Sequence, residues 1–181
     1  MSAYPVTPER SAARRPGTLT AAIVVTVLTA IVSIVNGIMI ATGGSDLIKD
    51  ILVDSGLPAE ALTDENLESA VVLAGYASLD DFESTFAMRG YLALAAGAAL
   101  LVFALLIRRA ATWARVLLTT FALLTMAFAG VIVADETTTS MAMLSFVTLL
   151  GAVLSIIFTW LPANGRHAKA AAPGRHAEAT A

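Results

Sequence analysis

The sequence contains no cysteine and, for its length, very little charge. Only 14% of its 181 residues are Asp, Glu, Lys or Arg, compared with about 25% in a soluble domain. The absence of cysteine excludes disulfides, thiolate metal sites, a cysteine nucleophile and a lipid-modified cysteine. Both histidines, His167 and His176, lie in the C-terminal tail, and no nucleotide-binding loop is present. We therefore expect no cofactor, no metal and no nucleic-acid partner.

What the sequence has in excess is apolar residues. They make up 57% of the chain, and the mean hydropathy is +0.79. A soluble protein of this size cannot bury so much apolar surface, so lipid must solvate much of the chain. Four continuous runs, residues 18–42, 90–107, 116–134 and 141–161, are predicted to be transmembrane helices. The first run is too long for the 7–15-residue apolar core of a cleaved secretory signal, so we expect it to stay uncleaved.

Lysine and arginine are distributed asymmetrically around these runs. Nine of the eleven lie in residues 1–17, 108–115 and 162–181, and two lie in residues 43–89 and 135–140. Cytoplasmic segments carry the excess of Lys and Arg. We therefore predict that both termini and the basic turn 108–115 are cytoplasmic, and that the two termini are disordered tails. Segments 43–89 and 135–140, the latter an outer turn, then lie outside the cell membrane. The residues expected to anchor this topology are Arg108, Arg109, Trp113, Arg115 and Trp160.

Residues 43–89 hold ten of the fourteen acidic residues. Turn signals at Gly56 and Gly75 divide this segment into three parts with apolar residues at helical spacing. Ser78-Leu79-Asp80-Asp81 resembles a capping box, and no proline or glycine follows before Arg89, so the third helix is predicted to continue into the second span. We therefore predict an all-α, multi-pass membrane protein. Its four transmembrane helices form a bundle with a small helical extracytoplasmic cap, residues 43–89, between the first two.

Three aspartates, Asp46, Asp50 and Asp54, are spaced by four residues in the first helix of the cap and share one face. Such a face fits a basic partner or a divalent cation. Calcium usually takes ligands that converge from a loop, so a solvated acidic face is the simpler interpretation.

No Asp, Glu, Lys, Arg or His lies inside any of the four runs. Ion-coupled transporters and voltage sensors usually keep one at membrane depth, and intramembrane catalysis needs a group that moves protons. The first helix carries instead a polar stripe of Thr26, Thr29, Ser33 and Asn36. We interpret this stripe as interhelical hydrogen bonding, worth about 0.6 kcal/mol per bond in membranes. The alternative is a hydrophilic path for a small solute.

Small residues recur at three- or four-residue spacing in the second and fourth runs. This spacing lets helix backbones approach closely, so we expect these residues to pack inside the bundle. Use of one such face for a homo-oligomer or a partner helix is the alternative. The residues are Ala93, Gly97, Thr148, Gly151, Ser155 and Thr159.

Residues 108–119, RRAATWARVLLT, combine a basic turn with a Trp-Ala-Arg step, and Trp160-Leu161-Pro162 closes the fourth run. In these features the chain resembles small four-span membrane proteins of actinobacteria. The resemblance implies the four-span topology and an actinobacterial source, and it carries over no functional residue. Claudins share the layout of a long first outer loop, but residues 43–89 lack their tryptophan-rich motif and cysteine pair.

These observations predict a non-enzymatic integral membrane protein of the cell membrane that acts as an accessory, scaffold or sensor-like component through its cap. Its expected partners are the lipid bilayer and another membrane protein or a second copy of itself. The alternative is a small-molecule permease or channel, oligomeric, that uses the Asn36 stripe. A membrane-bound enzyme would need catalytic groups in the cap, where only carboxylates and hydroxyls are available.

Overall fold

The computed structural model describes residues 17–107, 112–134 and 137–162. The regular structure in these ranges is helical, and four of the helices, α1, α4, α5 and α6, are long and apolar enough to cross a membrane. An all-α protein with four candidate membrane spans is thus confirmed. The elements are α1 (Gly17–Thr42), α2 (Gly44–Asp54), a 3₁₀ turn (Ala59–Ala61), α3 (Asp64–Leu73), α4 (Leu79–Leu106), α5 (Thr112–Ala134) and α6 (Thr139–Trp160).

Helix α5 extends beyond the apolar run from which it was predicted. It begins at Thr112, so Trp113 and Arg115, predicted to lie in the turn, are helical. An apolar run marks the part of a helix that faces lipid, whereas the helix itself continues as long as its backbone hydrogen bonds are satisfied. Arg108 and Arg109 lie outside the described residues, as do most of the two predicted tails.

Helix α6 likewise begins before its apolar run, at Thr139 instead of Met141. The hydroxyl of Thr138 accepts a hydrogen bond from the backbone N–H of Met141 at 3.4 Å. A threonine in this position satisfies one of the backbone donors that the first helical turn leaves unpaired. The predicted outer turn 135–140 is therefore shorter than the sequence indicated.

The four long helices form an antiparallel bundle in which the neighbours follow the order α1, α4, α5, α6 and back to α1. The α1–α4 contact is especially close at two glycines: a Cβ on Gly90 would lie 2.8 Å from the carbonyl oxygen of Gly37. Large apolar side chains point outward instead, among them Leu28 and Phe146, which are 58% and 56% exposed. This arrangement suits a bundle surrounded by lipid, where close backbone packing replaces the hydrophobic drive.

The small residues of the second and fourth runs pack inside the bundle, as predicted. Gly97 lies against Ala30 and Ser33 of α1, and Gly151 contacts Thr29. Their faces are therefore covered by helices of the same chain. The remaining members of the set are also buried: Ala93, Thr148, Ser155 and Thr159.

The cap consists of three helical parts at one end of the bundle. Gly56 and Gly75 adopt left-handed φ angles of 103° and 95° and end α2 and α3, the conformation in which glycine costs least. The hydroxyl of Ser78 accepts a hydrogen bond from the backbone N–H of Asp81 at 3.1 Å and so caps α4. Helix α4 then continues without a break into the bundle. These divisions agree with those predicted from the glycines and the Ser78 cap.

One apolar core joins the cap to the bundle. It combines side chains of α2, α3 and the start of α4 with Ile40 of α1 and Met141 of α6. Within it the rings of Phe82 and Phe86 stack with centroids 4.6 Å apart, and Tyr76 meets Phe82 edge-on at 4.1 Å. Such aromatic pairs contribute about 0.5–1.5 kcal/mol each beyond their area burial. The cap is therefore a packed part of the fold.

Candidate functional site

The fold itself uses some of the acidic side chains of the cap. Lys49 and Asp64 form an ion pair of 2.6 Å that joins α2 to α3. Their hydrogen bond lowers the pKa of Asp64 and raises the pKa of Lys49, because each charged group stabilises the other. The carboxylate of Glu68 accepts a hydrogen bond from the backbone N–H of Leu79 at 3.1 Å. These contacts hold α2, α3 and the start of α4 together.

The three predicted aspartates of α2 do not have one common role. The carboxylate of Asp54 accepts hydrogen bonds from the backbone N–H and the hydroxyl of Thr139, at 2.8 and 3.2 Å. It therefore caps the N-terminus of α6, where negative charge is favoured. Asp46 and Asp50 are exposed. In the described ranges 17–107, 112–134 and 137–162, no group of three or more acidic or histidine side chains is placed to hold a metal ion.

An open groove of about 590 Å³ lies on the cap between the end of α2 and one face of α3. Its volume is within the 300–1,000 Å³ range of ligand pockets. Two of the leucines that line the groove are accessible: Leu73 is 87% exposed and Leu57 is 36% exposed. Apolar surface is thus accessible here on a part of the protein that packing holds in place. The residues that define the groove include Ser55, Leu57, Leu62, Asn66, Ser69 and Leu73.

The surroundings of the groove are acidic. Glu60 and Glu65 are exposed, and each immediately precedes a lining residue in the chain, Ala61 and Asn66 respectively. The lining residues include no lysine or arginine. The groove therefore combines an apolar surface with polar amide and hydroxyl groups and a negatively charged rim.

The predicted polar stripe lies inside the bundle, and all four of its residues are buried. Asn36 Nδ2 donates a hydrogen bond to Ser145 Oγ of α6 at 2.9 Å, and Ser33 Oγ donates to a backbone carbonyl of α4 at 3.1 Å. These two side chains therefore form hydrogen bonds between helices. Thr26 and Thr29 donate to carbonyls of their own helix instead, as hydroxyls in helices often do.

A cavity of about 10 Å³, which we call the Asn36 cavity, lies beside this stripe. Asn36 Oδ1 is buried and has no hydrogen-bond partner among the described residues. Thr125 of α5 and Thr148 of α6 also line the cavity, but their hydroxyls donate within their own helices. The volume is close to that of one water molecule. Further along the bundle the centre is filled by an apolar cluster of Ala30, Leu100, Ala122 and Ala152.

The two predicted tryptophan anchors are half exposed. Trp113 and Trp160 expose 54% and 51% of their surface. Trp160 Nε1 also donates a hydrogen bond to Thr119 Oγ1 at 2.8 Å, which joins α6 to α5. Arg115, by contrast, is only 7% exposed.

The groove is not evident from the sequence alone. The sequence predicted α3 from the apolar residues Leu67 and Val71, which lie on the face of the helix that packs against the core. The available signal was a second face of the same helix, with Asn66, Ala70 and Leu73 at i, i+4 and i+7. That face indicates an unoccupied apolar surface only when the position of the core is known.

In comparisons with known proteins, no family model, curated protein or solved structure matches the chain. The candidate sites are therefore judged by their own geometry. The groove is open, accessible and ligand-sized, whereas the Asn36 cavity, at about 10 Å³, has room for about one water molecule. The groove is the stronger candidate for a binding site.

Proposed function

We propose that the chain is a non-enzymatic integral membrane protein of the cell membrane that binds a partner through its cap, as an accessory, scaffold or sensor-like component. The observation that carries this proposal is the groove, an exposed apolar surface on a cap that a shared core fixes to the bundle. The distribution of Lys and Arg favours cytoplasmic termini and a cap on the outer face.

The chemistry of the bundle interior supports a binding role over a catalytic one. Its buried polar groups are mainly hydroxyls and the amide of Asn36. Among the described residues, Arg115 is the buried charged side chain, in the first turn of α5. General acid–base catalysis needs groups that gain and lose protons near the substrate. Partner binding requires only apolar surface, complementary charge and a rigid frame.

The absence of cysteine makes a direct test possible, because a single introduced cysteine is the only reactive thiol. Ser69→Cys places a thiol in the groove, and Ser84→Cys places one at another exposed position of the cap. In intact cells, a membrane-impermeant maleimide should label both variants. A benzophenone maleimide should then give a crosslinked product of defined mass from position 69 but not from position 84.

Two results would oppose this proposal. Labelling that requires cell lysis would contradict the outer location of the cap. Crosslinked products that are absent at both positions, or equally abundant at both, would contradict binding at the groove.

The alternative function is a small-molecule permease or channel. The Asn36 cavity supports it, since Asn36 Oδ1 is a buried polar atom with no hydrogen-bond partner in the described part of the chain. Its test is solute flux into liposomes that contain the full chain. Alanine at Asn36, Ser33 and Thr29 should reduce a measured flux if the stripe forms the path. Unchanged flux in all three variants would rule this function out.

A further inference from the structure

The groove has the shape of a binding site for one face of a helix. Asn66, Ala70 and Leu73 follow one another at helical spacing along its α3 wall, over roughly 10 Å. Leu57, after the end of α2, also lines the groove. Amphipathic helices bind such grooves by inserting apolar residues at i, i+3 or i+4, and i+7.

The charge of the cap restricts which helix fits. Residues 43–88 contain ten acidic residues and one lysine, Lys49, and that lysine is paired with Asp64. Glu60 and Glu65 beside the groove, and Asp46 on α2, are exposed. Surfaces of one charge sign attract and orient partners of the opposite sign.

The same charge opposes two other occupants. Anionic lipid headgroups would be repelled by the acidic rim, and a second copy of the cap would place like charges against each other. We infer that the groove binds a cationic amphipathic helix of another protein, with apolar side chains in the groove and lysine or arginine side chains toward the acidic rim. This identity of the partner rests on the proposed function.

A designed peptide tests the inference. The probe is a fluorescent 14-residue helix with leucines on one face and lysines on the other. One control peptide has glutamate in place of lysine, and a second has the same composition without an apolar face. Binding is measured by anisotropy to the full chain in phosphatidylcholine nanodiscs, and nanodiscs without protein give the background. We expect saturable binding of the lysine peptide only, weakened several-fold when salt rises from about 50 to 500 mM.

Two neighbouring residues provide a matched pair of variants. Leu73 lines the groove, whereas Val72 does not, and both are exposed, at 87% and 50%. Leu73→Ser should weaken peptide binding by about fivefold or more, as for the loss of an apolar anchor. Val72→Ser should change it by less than about twofold. Because both side chains are exposed, we expect both variants to unfold at the temperature of the unmodified chain.

Several results would overturn the inference. Equal binding of the lysine and glutamate peptides would remove the role of charge, and equal effects of Leu73→Ser and Val72→Ser would remove the role of the groove. If the cap bound phosphatidylglycerol vesicles more tightly than it binds the lysine peptide, the occupant of the groove would be a lipid surface. Efficient disulfide dimers of Ser69→Cys in membranes, prevented by Leu73→Ser, would identify a second copy of the chain.

Failure of the inference can be distinguished from failure of the proposed function. If position 69 still crosslinks a partner in cells while the lysine peptide does not bind, the cap is a binding site for a partner of other chemistry. If neither occurs, both the inference and the proposed function are contradicted.

Discussion

The close contact of α1 and α4 predicts that Gly90→Ala destabilises the bundle. A Cβ at this position would lie 2.5 Å from the backbone nitrogen of Ala41 and 2.8 Å from the carbonyl oxygen of Gly37. Both atoms belong to helix backbone, so neither can move aside as a flexible side chain does. The two helices must separate by roughly 1 Å to restore ordinary contact distances.

The expected cost follows from this separation. Overpacking of this kind costs about 1–3 kcal/mol. The hydrogen bond from Ser33 Oγ to the carbonyl of Ala93, now 3.1 Å, would lengthen beyond a useful distance and lose about 0.6 kcal/mol. We expect a total loss of about 1.6–3.6 kcal/mol in the free energy of unfolding. For a chain of this size that corresponds to an apparent Tm lower by about 3–14 °C.

Thermal unfolding of the full chain in mild detergent measures this effect, and Gly130→Ala is the matched control. A Cβ on Gly130, in the C-terminal part of α5, would have no heavy atom within 4 Å. Alanine there should leave the Tm unchanged or raise it, because alanine favours helix by about 0.5–1 kcal/mol over glycine.

Equal melting temperatures for Gly90→Ala and the unmodified chain would refute the reasoning about backbone contact. So would an equal loss in Gly90→Ala and Gly130→Ala, since glycine would then matter for a reason other than the neighbouring helix.

Three further predictions concern the cap and the interior. Asp54→Ala should lower the free energy of unfolding by about 0.5–2 kcal/mol through loss of the α6 cap, and Asp50→Ala by less than about 0.5 kcal/mol; equal Tm values would contradict this. The protection of α2 and α3 from hydrogen exchange, expressed relative to the intrinsic exchange rate at each pH, should decrease as pH falls through the lowered pKa of Asp64, and Lys49→Ala should abolish this response. Asn36→Leu should cost at most about 1 kcal/mol in thermal unfolding, because an unpaired oxygen is removed with the hydrogen bond.

The sequence predicted the architecture because its strongest signals are local. Continuous apolar runs identify membrane helices, and Gly56, Gly75 and Ser78 determine where the helices of the cap begin and end, since each satisfies backbone groups at a helix terminus. The helix starts at Thr112 and Thr139 were missed, because hydropathy detects lipid-facing residues and not the polar turn that precedes them.

The candidate site was only partly predictable, because it depends on contacts between distant residues. The spacing of Asp46, Asp50 and Asp54 indicated a common face, but only the fold brings Asp54 to the backbone of Thr139, 85 residues away. The exposed face of α3 that carries Leu73 could be recognised only after the core face of the same helix was known.

The central claim is that the cap binds a partner through its groove. Its most direct test is photocrosslinking in cells from Ser69→Cys, in chains that also carry Leu73→Ser or Val72→Ser. We predict that the crosslinked product persists with Val72→Ser and is lost with Leu73→Ser, because Leu73 lines the groove and Val72 does not. A product that persists undiminished with Leu73→Ser would contradict the account.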